Sequence, residues 1–310
     1  MPASAPPLAW AESPLQLIGA AEWASAHDRT VDVAGRLVAQ VEETAAALTR
    51  RGARFGAQAG FWGIPWRMLA AHDHWLVGDG FSGQFRLAAA VLRPKRLTFL
   101  DDGLNAVAFA DAVTGARAFR RPGVEERGLT RRLAPFALDA IRHRAAAGRA
   151  DIFTAFPMGS ARLGRLADLG AVVSEHDFAW LRRTRPSAET LRLLAPHRRI
   201  ILGSAGVVDG RFPLAASAAW VRAQARGGAA YLPHRREDPA HVEEIARVSG
   251  VRVVRPGVPV ELVLAGDPAP REIVTLRSSA AVTLRRILAG TESVVRETAF
   301  DDAGAREAAR

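Results

Sequence analysis

From Ile200 to Leu288 short apolar runs and helical segments take turns at close intervals, and that alternation leaves few folds open. Ile200-Ile201-Leu202, Ala230-Tyr231-Leu232, Val251 to Val254 and Ile273 to Leu276 read as buried strands. Leu214 to Arg226, Pro239 to Val248, Pro259 to Ala265 and Ala280 to Leu288 have helical spacing. Pro239 opens its helix and Gly250 follows its end, the usual asymmetry of helix termini. Strands separated by helices with short loops pair in parallel and are covered by those helices, so an α/β, Rossmann-like unit is expected here.

The N-terminal half alternates less cleanly. Strands are expected at Leu8 to Ala11, Trp75 to Val77, Leu97 to Leu100, Ile152 to Phe156 and Asp177 to Leu181, and helices at Pro14 to Ala26, Val38 to Arg50 and Leu133 to Ala147. Thr184 to Pro196 carries Pro, Ser and charge and reads as a linker. The chain of 310 residues is long enough for two cores, and the expected domains are residues 1–185 and 186–310. Two such domains facing each other would place the carboxyl ends of both sheets along a shared cleft, where open α/β sheets bind ligands.

Charge and cysteine content narrow the setting. The formal net charge of +10 invites a nucleic-acid reading, but the excess is almost all arginine, with Lys95 the sole lysine. The arginines are scattered in pairs such as Arg131-Arg132 and Arg285-Arg286, not gathered in one block with interleaved aromatics, so no nucleic-acid partner is expected. A basic chain still suits nucleotides, acidic glycans or an anionic membrane surface. With no cysteine, thiolate chemistry and disulfides are excluded, which agrees with a cytoplasmic protein. Met1 to Ala11 lacks the basic and apolar regions of a signal peptide, and no run of about 18 uncharged apolar residues is present.

Six short stretches could carry chemistry. Ser278-Ser279 opens the last helix, where free N–H groups and the positive dipole end suit a phosphate; the same pair also reads as a plain N-cap. Asp101-Asp102-Gly103 follows a strand, so either carboxylate could serve as a general base at the sheet's carboxyl edge, or the trio could be an ordinary strand-end turn. Pro233-His234-Arg235 ends a strand with a histidine able to protonate or stabilise a leaving phosphate, against the alternative of a charged surface loop. Glu261, two residues after Pro259, could accept hydrogen bonds from a ribose diol or serve as a helix-start carboxylate. Gly203-Ser204 lets backbone approach a ligand, and Ser13-Pro14-Leu15-Gln16 caps the first helix. No ligand set for a metal is apparent: His72 and His74 stand without further ligands.

Taken in order, Ser13-Pro14-Leu15-Gln16, Asp101-Asp102-Gly103, His234, Pro259-x-Glu261 and Ser278-Ser279-Ala280 resemble the bacterial sialyltransferases, particularly the lipooligosaccharide sialyltransferase and polysialyltransferase-like group. The resemblance runs from Ser13 to about Leu288 and departs from the family at Arg235, which stands where a proline is usual. It implies a GT-B architecture of two Rossmann-like domains: an acceptor-side N-terminal domain and a donor-binding C-terminal one. It implies inverting, metal-independent transfer of a sialic acid or related nonulosonic acid from its CMP-activated form to a glycan, lipid-linked saccharide or protein hydroxyl. One Asp of the pair would be the base, with Asp101 favoured. His234 would act on the leaving phosphate, Ser278 and Ser279 would bind it, and Glu261 would hold the ribose. No cofactor is expected, since the CMP-sugar is a substrate. A GT-B transferase using another donor such as CMP-Kdo, or a non-catalytic nucleotide- or polyanion-binding protein, are the alternatives. Location is expected to be cytoplasmic, with docking on the inner membrane open to a basic surface.

Overall fold

The computed structural model describes residues 5–299. Residues 1–4, part of the segment Met1 to Ala11, and residues 300–310 lie outside them. The chain divides into two compact units, Met1–Leu181 and Arg182–Arg310.

The first unit runs β1 (Leu8–Ala11), α1 (Pro14–Ala26), β2 (Val31–Arg36), α2 (Ala39–Arg50), β3 (Phe55–Phe61), α3 (Trp66–Ala70), β4 (His74–Val77), α4 (Gly83–Leu92), β5 (Arg96–Phe99), α5 (Asn105–Val113), α6 (Gly128–Ala146), β6 (Ala150–Thr154), α7 (Ser160–Asp168) and β7 (Val172–Glu175), with α8 (Ala179–Arg182) at its end. Its seven strands are parallel in the order β3-β2-β1-β4-β5-β6-β7. This is the doubly wound order extended by one strand, with the direction of progression reversing between β1 and β4.

The second unit repeats the plan with fewer strands. After α9 (Ala188–Leu194) come β8 (Arg199–Leu202), α10 (Leu214–Gln224), β9 (Ala229–Leu232), α11 (Pro239–Ala246), β10 (Val251–Val253), α12 (Val260–Leu264), β11 (Glu272–Leu276), α13 (Ser279–Ile287) and β12 (Val294–Thr298). All five strands are parallel in the order β10-β9-β8-β11-β12, and the reversal falls between β8 and β11.

Central strands are buried on both faces, as helices on both sides of a sheet require: Leu8–Ala11 and Ala229–Leu232 are buried throughout. The first core is aromatic. Trp10 meets Phe61 and Trp75 edge-on, with ring centroids 6.1 and 6.4 Å apart, and Phe81, Phe99, Phe109 and Phe119 close its other end. The second core gathers Ile201, Val221, Tyr231, Ile245 and Val274.

Three sequence expectations need correction. Asp177 to Leu181 is not a strand. The edge strand is β7, and Ala179–Arg182 is a helical turn whose Trp180 and Leu181 N–H groups donate to the buried Glu22 carboxylate at 3.1 and 2.7 Å. The expected linker holds a helix, α9, because the Ser187 hydroxyl accepts from Thr190 N at 3.1 Å and caps it. The long helix α6 begins at Gly128, ahead of the expected Leu133, and accommodates Pro135 in its interior. Among the described residues no helix is long and apolar enough to cross a membrane.

Candidate functional site

In a parallel sheet every strand points the same way, so the residue following each strand falls on one edge. In the first unit that rule collects Glu12 after β1, Gly78-Asp79 after β4 and Asp101-Asp102 shortly after β5. Ser13 stands in extended backbone (φ −144°, ψ 158°) as the N-cap of α1, and Pro14 occupies the first helical position. Gln16, buried one turn in, folds back so that its Oε1 accepts from Glu12 N at 2.6 Å and Ser13 N at 3.2 Å. Its Nε2 then donates to Asp102 Oδ1 at 3.1 Å. One side chain thus ties the Ser-Pro-Leu-Gln stretch to the Asp-Asp-Gly stretch, 86 residues later. Gly78 makes the approach feasible, since a Cβ there would lie 2.2 Å from Gln16 Cδ.

The two adjacent aspartates have opposite fates. Asp101 is 1% exposed, with Thr154 Oγ1 donating to Oδ1 at 2.5 Å and Ala155 N to Oδ2 at 2.6 Å. It joins the end of β5 to the end of β6. His176 Nε2 stands 3.5 Å from the same Oδ2. Asp102 turns outward instead. It takes Gln16 on Oδ1, and Asn105 Nδ2 at 3.0 Å and Arg121 Nη1 at 3.1 Å on Oδ2. A carboxylate offers about four lone-pair sites, so Oδ1 keeps one beyond the Gln16 bond. The favoured role for Asp101 therefore does not fit its surroundings: a carboxylate enclosed by two donors cannot meet a substrate. Gly103 follows at φ +62°, the left-handed turn that separates β5 from α5.

Arg121 bridges Asp102 and Asp79, pairing with both. It sits between α5 and α6 on a segment with few elements of its own, yet its backbone is pinned, since Arg121 N donates to Glu126 Oε1 at 3.2 Å. Glu126 is held in turn by the fully buried Arg86 at 2.7 and 2.9 Å. Arg86 also donates to Thr130 O at 2.8 Å and faces the Phe119 ring at 4.8 Å. Burial pushes the Asp79 carboxyl above the usual range, and neighbouring Asp102 adds to the rise. Glu12 is raised for the same first reason, with Arg36, 3.0 Å away, opposing. Burial works against the Arg121 charge, but the flanking Asp79 and Asp102 outweigh it and raise its pKa. The result is a tight acidic–basic cluster on the edge where the strand order reverses.

In the second unit the ends of β8, β9 and β11 are neighbours. Gly203-Ser204 follows β8 and runs against Pro233 and His234, which follow β9. A Cβ on Gly203 would lie 2.3 Å from Glu237 Oε1, 2.6 Å from His234 N and 2.8 Å from the Tyr231 hydroxyl, so this pass is open only to glycine. Glu237 is the hub: it accepts from Ser204 N at 2.6 Å and from the Tyr231 hydroxyl at 2.8 and 2.9 Å. Burial pushes its carboxyl up to about 7. Burial and the adjoining Arg235 and Arg236 hold the His234 imidazole down at about 4, and Arg236 N donates to its Nδ1 at 3.2 Å. Nε2 therefore carries the proton of the neutral ring.

Ser278 is the N-cap of α13, its Oγ accepting from Ala281 N at 3.3 Å, and Ser279 is the first residue of the helix. Thr283, one turn beyond Ser279, donates to the Oε1 of Glu261 at 2.8 Å. Glu261 lies on α12 with 8% exposure, and burial raises its pKa while Arg235 opposes. Gly203, Ser204, Pro233, His234, Arg235, Glu261, Ser278 and Ser279 thus occupy one edge of the second sheet, as Ser13, Gln16, Asp101, Asp102 and Gly103 occupy one edge of the first.

Sequence reasoning passed over Asp79, Asn105, Arg121 and Glu237. Gly78-Asp79-Gly80 after Trp75 to Val77 has the same strand-then-Asp/Gly form as the Asp-Asp-Gly stretch and could have been found by it. Arg121 has no local signature.

No protein-family model matches the chain, and no curated protein matches its sequence. Its fold does have counterparts. The α/β-galactoside α-2,3-sialyltransferase of Photobacterium phosphoreum aligns over 98% of this chain and 94% of its own, at 11% identity and a TM-score of 0.57. MnaA of S. aureus, solved with UDP, covers 98% of this chain and 86% of its own at 13% identity and 0.58. A UDP-N-acetylglucosamine 2-epimerase-like protein of Listeria monocytogenes covers 90% and 76% at 12% identity and 0.53. The fold is that of the GT-B glycosyltransferases. At such identity the likeness concerns fold alone, and function has to be argued from the sites.

Proposed function

We propose that the protein is an inverting, metal-independent glycosyltransferase that moves a sialic acid or related nonulosonic acid from its CMP-activated form to a hydroxyl of a glycan, lipid-linked saccharide or protein. The observation that carries this reading is the Gln16–Asp102 hydrogen bond, which fixes a partly exposed carboxylate at the sheet edge where α/β folds bind substrates. Asp102, not Asp101, is the base: its Oδ1 takes the acceptor proton as the acceptor oxygen attacks the anomeric carbon. The glycosidic C–O bond forms as the bond to the phosphate breaks, and CMP leaves with the electron pair. Asn105 and Arg121 hold the carboxylate in orientation while it acts.

The leaving phosphate needs donors placed before the reaction. Ser279 and the N-terminus of α13 supply them in the second unit, and Arg235 adds charge. Ser278 supports the seat by capping the helix. His234 is neutral in the free protein, and the donor's phosphodiester monoanion, gaining charge as CMP leaves, favours its protonated form. Glu261, whose Oε1 accepts from Thr283, is assigned the ribose hydroxyl in this reading. A basic exterior suits work at an anionic inner-membrane surface.

The test is incubation with CMP-N-acetylneuraminate, CMP-legionaminate, CMP-Kdo, UDP-N-acetylglucosamine and EDTA, with release of nucleotide followed by chromatography. CMP release from a nonulosonate donor that D102N abolishes is the expected result. Turnover of the UDP-sugar alone would move the donor to the class that the fold likeness to MnaA favours. No thermal stabilisation by either CMP or UDP would sink the transferase reading.

A further inference from the structure

The edge that carries Asp102 also carries two exposed tryptophans that the proposed chemistry does not use. Trp62 follows β3 directly and is 74% exposed; Trp66 opens α3 and is 39% exposed. Indole is the largest apolar side chain; Trp10, Trp23 and Trp75 of this unit are buried and Trp180 is partly buried. The loop between them is shaped to hold both out. Gly63 takes φ +70°, Pro65 and Leu69 beneath are buried, and Leu37 N donates to Phe61 O to fix the strand end.

Position separates this pair from scattered surface residues. The strands are all parallel, so the end of β3 shares its edge with the ends of β2, β1, β4 and β5. Four strand spacings put the end of β3 ~19 Å along that edge from the end of β5. Polar groups link the interval, with the Arg36 and Glu12 side chains partly exposed and Gln16 buried beneath them. Arg36, paired in register with Phe61, reaches Glu12 at 3.0 Å and Gln84 at 3.2 Å; Glu12 N meets Gln16, and Gln16 meets Asp102. Aromatic faces at one end and a row of guanidinium, carboxylate and amide groups leading to a carboxylate suit a chain of pyranoses. The sugar's C–H face lies on indole and its hydroxyls meet the polar row.

We propose that Trp62 and Trp66 form a stacking platform for the acceptor saccharide, holding a sugar several units back from the hydroxyl presented to Asp102. This rests on the transferase reading of the same edge. It commits to an oligosaccharide as occupant and not a lipid surface. Helix α3 spans only five residues, and beside the two indoles it exposes Arg67 and Ala70, too little apolar face to lie in a bilayer interface.

The test uses full-length protein labelled with 5-fluorotryptophan, the Trp62 and Trp66 ¹⁹F resonances being assigned with W62F and W66F. Lactose, lacto-N-neohexaose, maltohexaose and chitohexaose are titrated in, and separately vesicles of phosphatidylglycerol and phosphatidylcholine. Saturable shifts of both resonances with at least one hexasaccharide, at least fivefold tighter than with lactose and lost in W62A, are expected. Unmoved resonances with all three hexasaccharides would overturn the proposal, and so would shifts produced by vesicles only. The readout needs no turnover, so failure of the donor assay and failure of this platform are seen separately. Where transfer is measured, W62A is expected to raise KM for the long acceptor at least fivefold.

Discussion

Replacing each of the neighbouring aspartates in turn separates structure from chemistry at one site. Asp101 is enclosed, with both oxygens accepting at 2.5 and 2.6 Å from Thr154 and Ala155. Hydrogen bonds to a charged group contribute ~1.5–3 kcal/mol each, so D101A, which leaves two buried donors unpaired, costs ~3–6 kcal/mol. For a unit of this size each kcal/mol moves the midpoint by roughly 2–4 °C, which puts the expected drop in Tm between ~6 and ~24 °C. Asp102 is partly exposed, 23% for its side chain, and an asparagine there retains a carbonyl acceptor for one of the three donors. D102N is therefore expected to cost ~1 kcal/mol in stability and to lower turnover by ~10²–10⁴, the range of a general base. Differential scanning calorimetry and chromatographic measurement of CMP release read the two effects on the same samples. A D101A protein whose Tm stays within about 2 °C of the parent, or a D102N protein that keeps roughly a tenth of its turnover, would refute the division of roles.

Three more expectations follow from the second unit and one from the first. Glu237 has a folded-state pKa of about 7 against an ordinary 4.5, so the folded state holds its proton more tightly and stability falls as pH rises through that window; E237Q removes this slope, as denaturant titrations at pH 5 and pH 8 will reveal. R236Q takes away one of the cations that depress His234, and ¹H NMR titration of the imidazole is expected to show its pKa climbing from about 4 toward 6.5; an unchanged value would mean that burial and Arg235 set it without Arg236. G203A brings a methyl within 2.6 Å of the His234 backbone N and is expected to cost ~1–3 kcal/mol in thermal melts. R121Q leaves Asp79 and Asp102 facing each other without their shared cation, so its stability loss is expected to be larger at pH 8 than at pH 5, and a loss independent of pH would exclude carboxylate repulsion as the cause.

What the sequence discloses depends on how local the cause is. β1, β4, β8, β9 and β11 are apolar runs bounded by Gly, Pro or Ser, and their parallel pairing follows from the helices between them. β3 was not legible: Phe55-Gly56-Ala57-Gln58-Ala59-Gly60-Phe61 has no β-branched residue and five exposed positions, and it is a strand because β2 offers an edge. Asp177 to Leu181 misled in the other direction. Phe178 and Leu181 are buried, but Glu22, more than 150 residues earlier, supplies acceptors for a helical turn there.

The same distinction governs the site. Asp101-Asp102-Gly103 announces carboxylates at a strand end, but nothing local says which faces out, since successive residues of an extended chain point to opposite sides. The decision is made by distant partners: Thr154 and Ala155 draw Asp101 in, and Gln16, Asn105 and Arg121 hold Asp102 out. Arg121 reaches that place through Glu126 and the buried Arg86. A buried arginine whose partner is removed leaves an uncompensated charge, typically costing ~3–5 kcal/mol. This Arg86–Glu126 pair is weak evidence for stability by itself, since an apolar replacement of similar volume often does as well. Its use here is positional: Glu126 fixes the Arg121 backbone, and Arg121 then fixes the orientation of the carboxylate on which the proposed proton transfer depends. E126Q, which keeps the size of the side chain and weakens its hold on Arg86, is therefore expected to lower turnover through Asp102 while leaving nucleotide binding by the second unit unchanged. Equal losses of turnover and of CMP affinity would mean that the pair supports the fold in general and not this site.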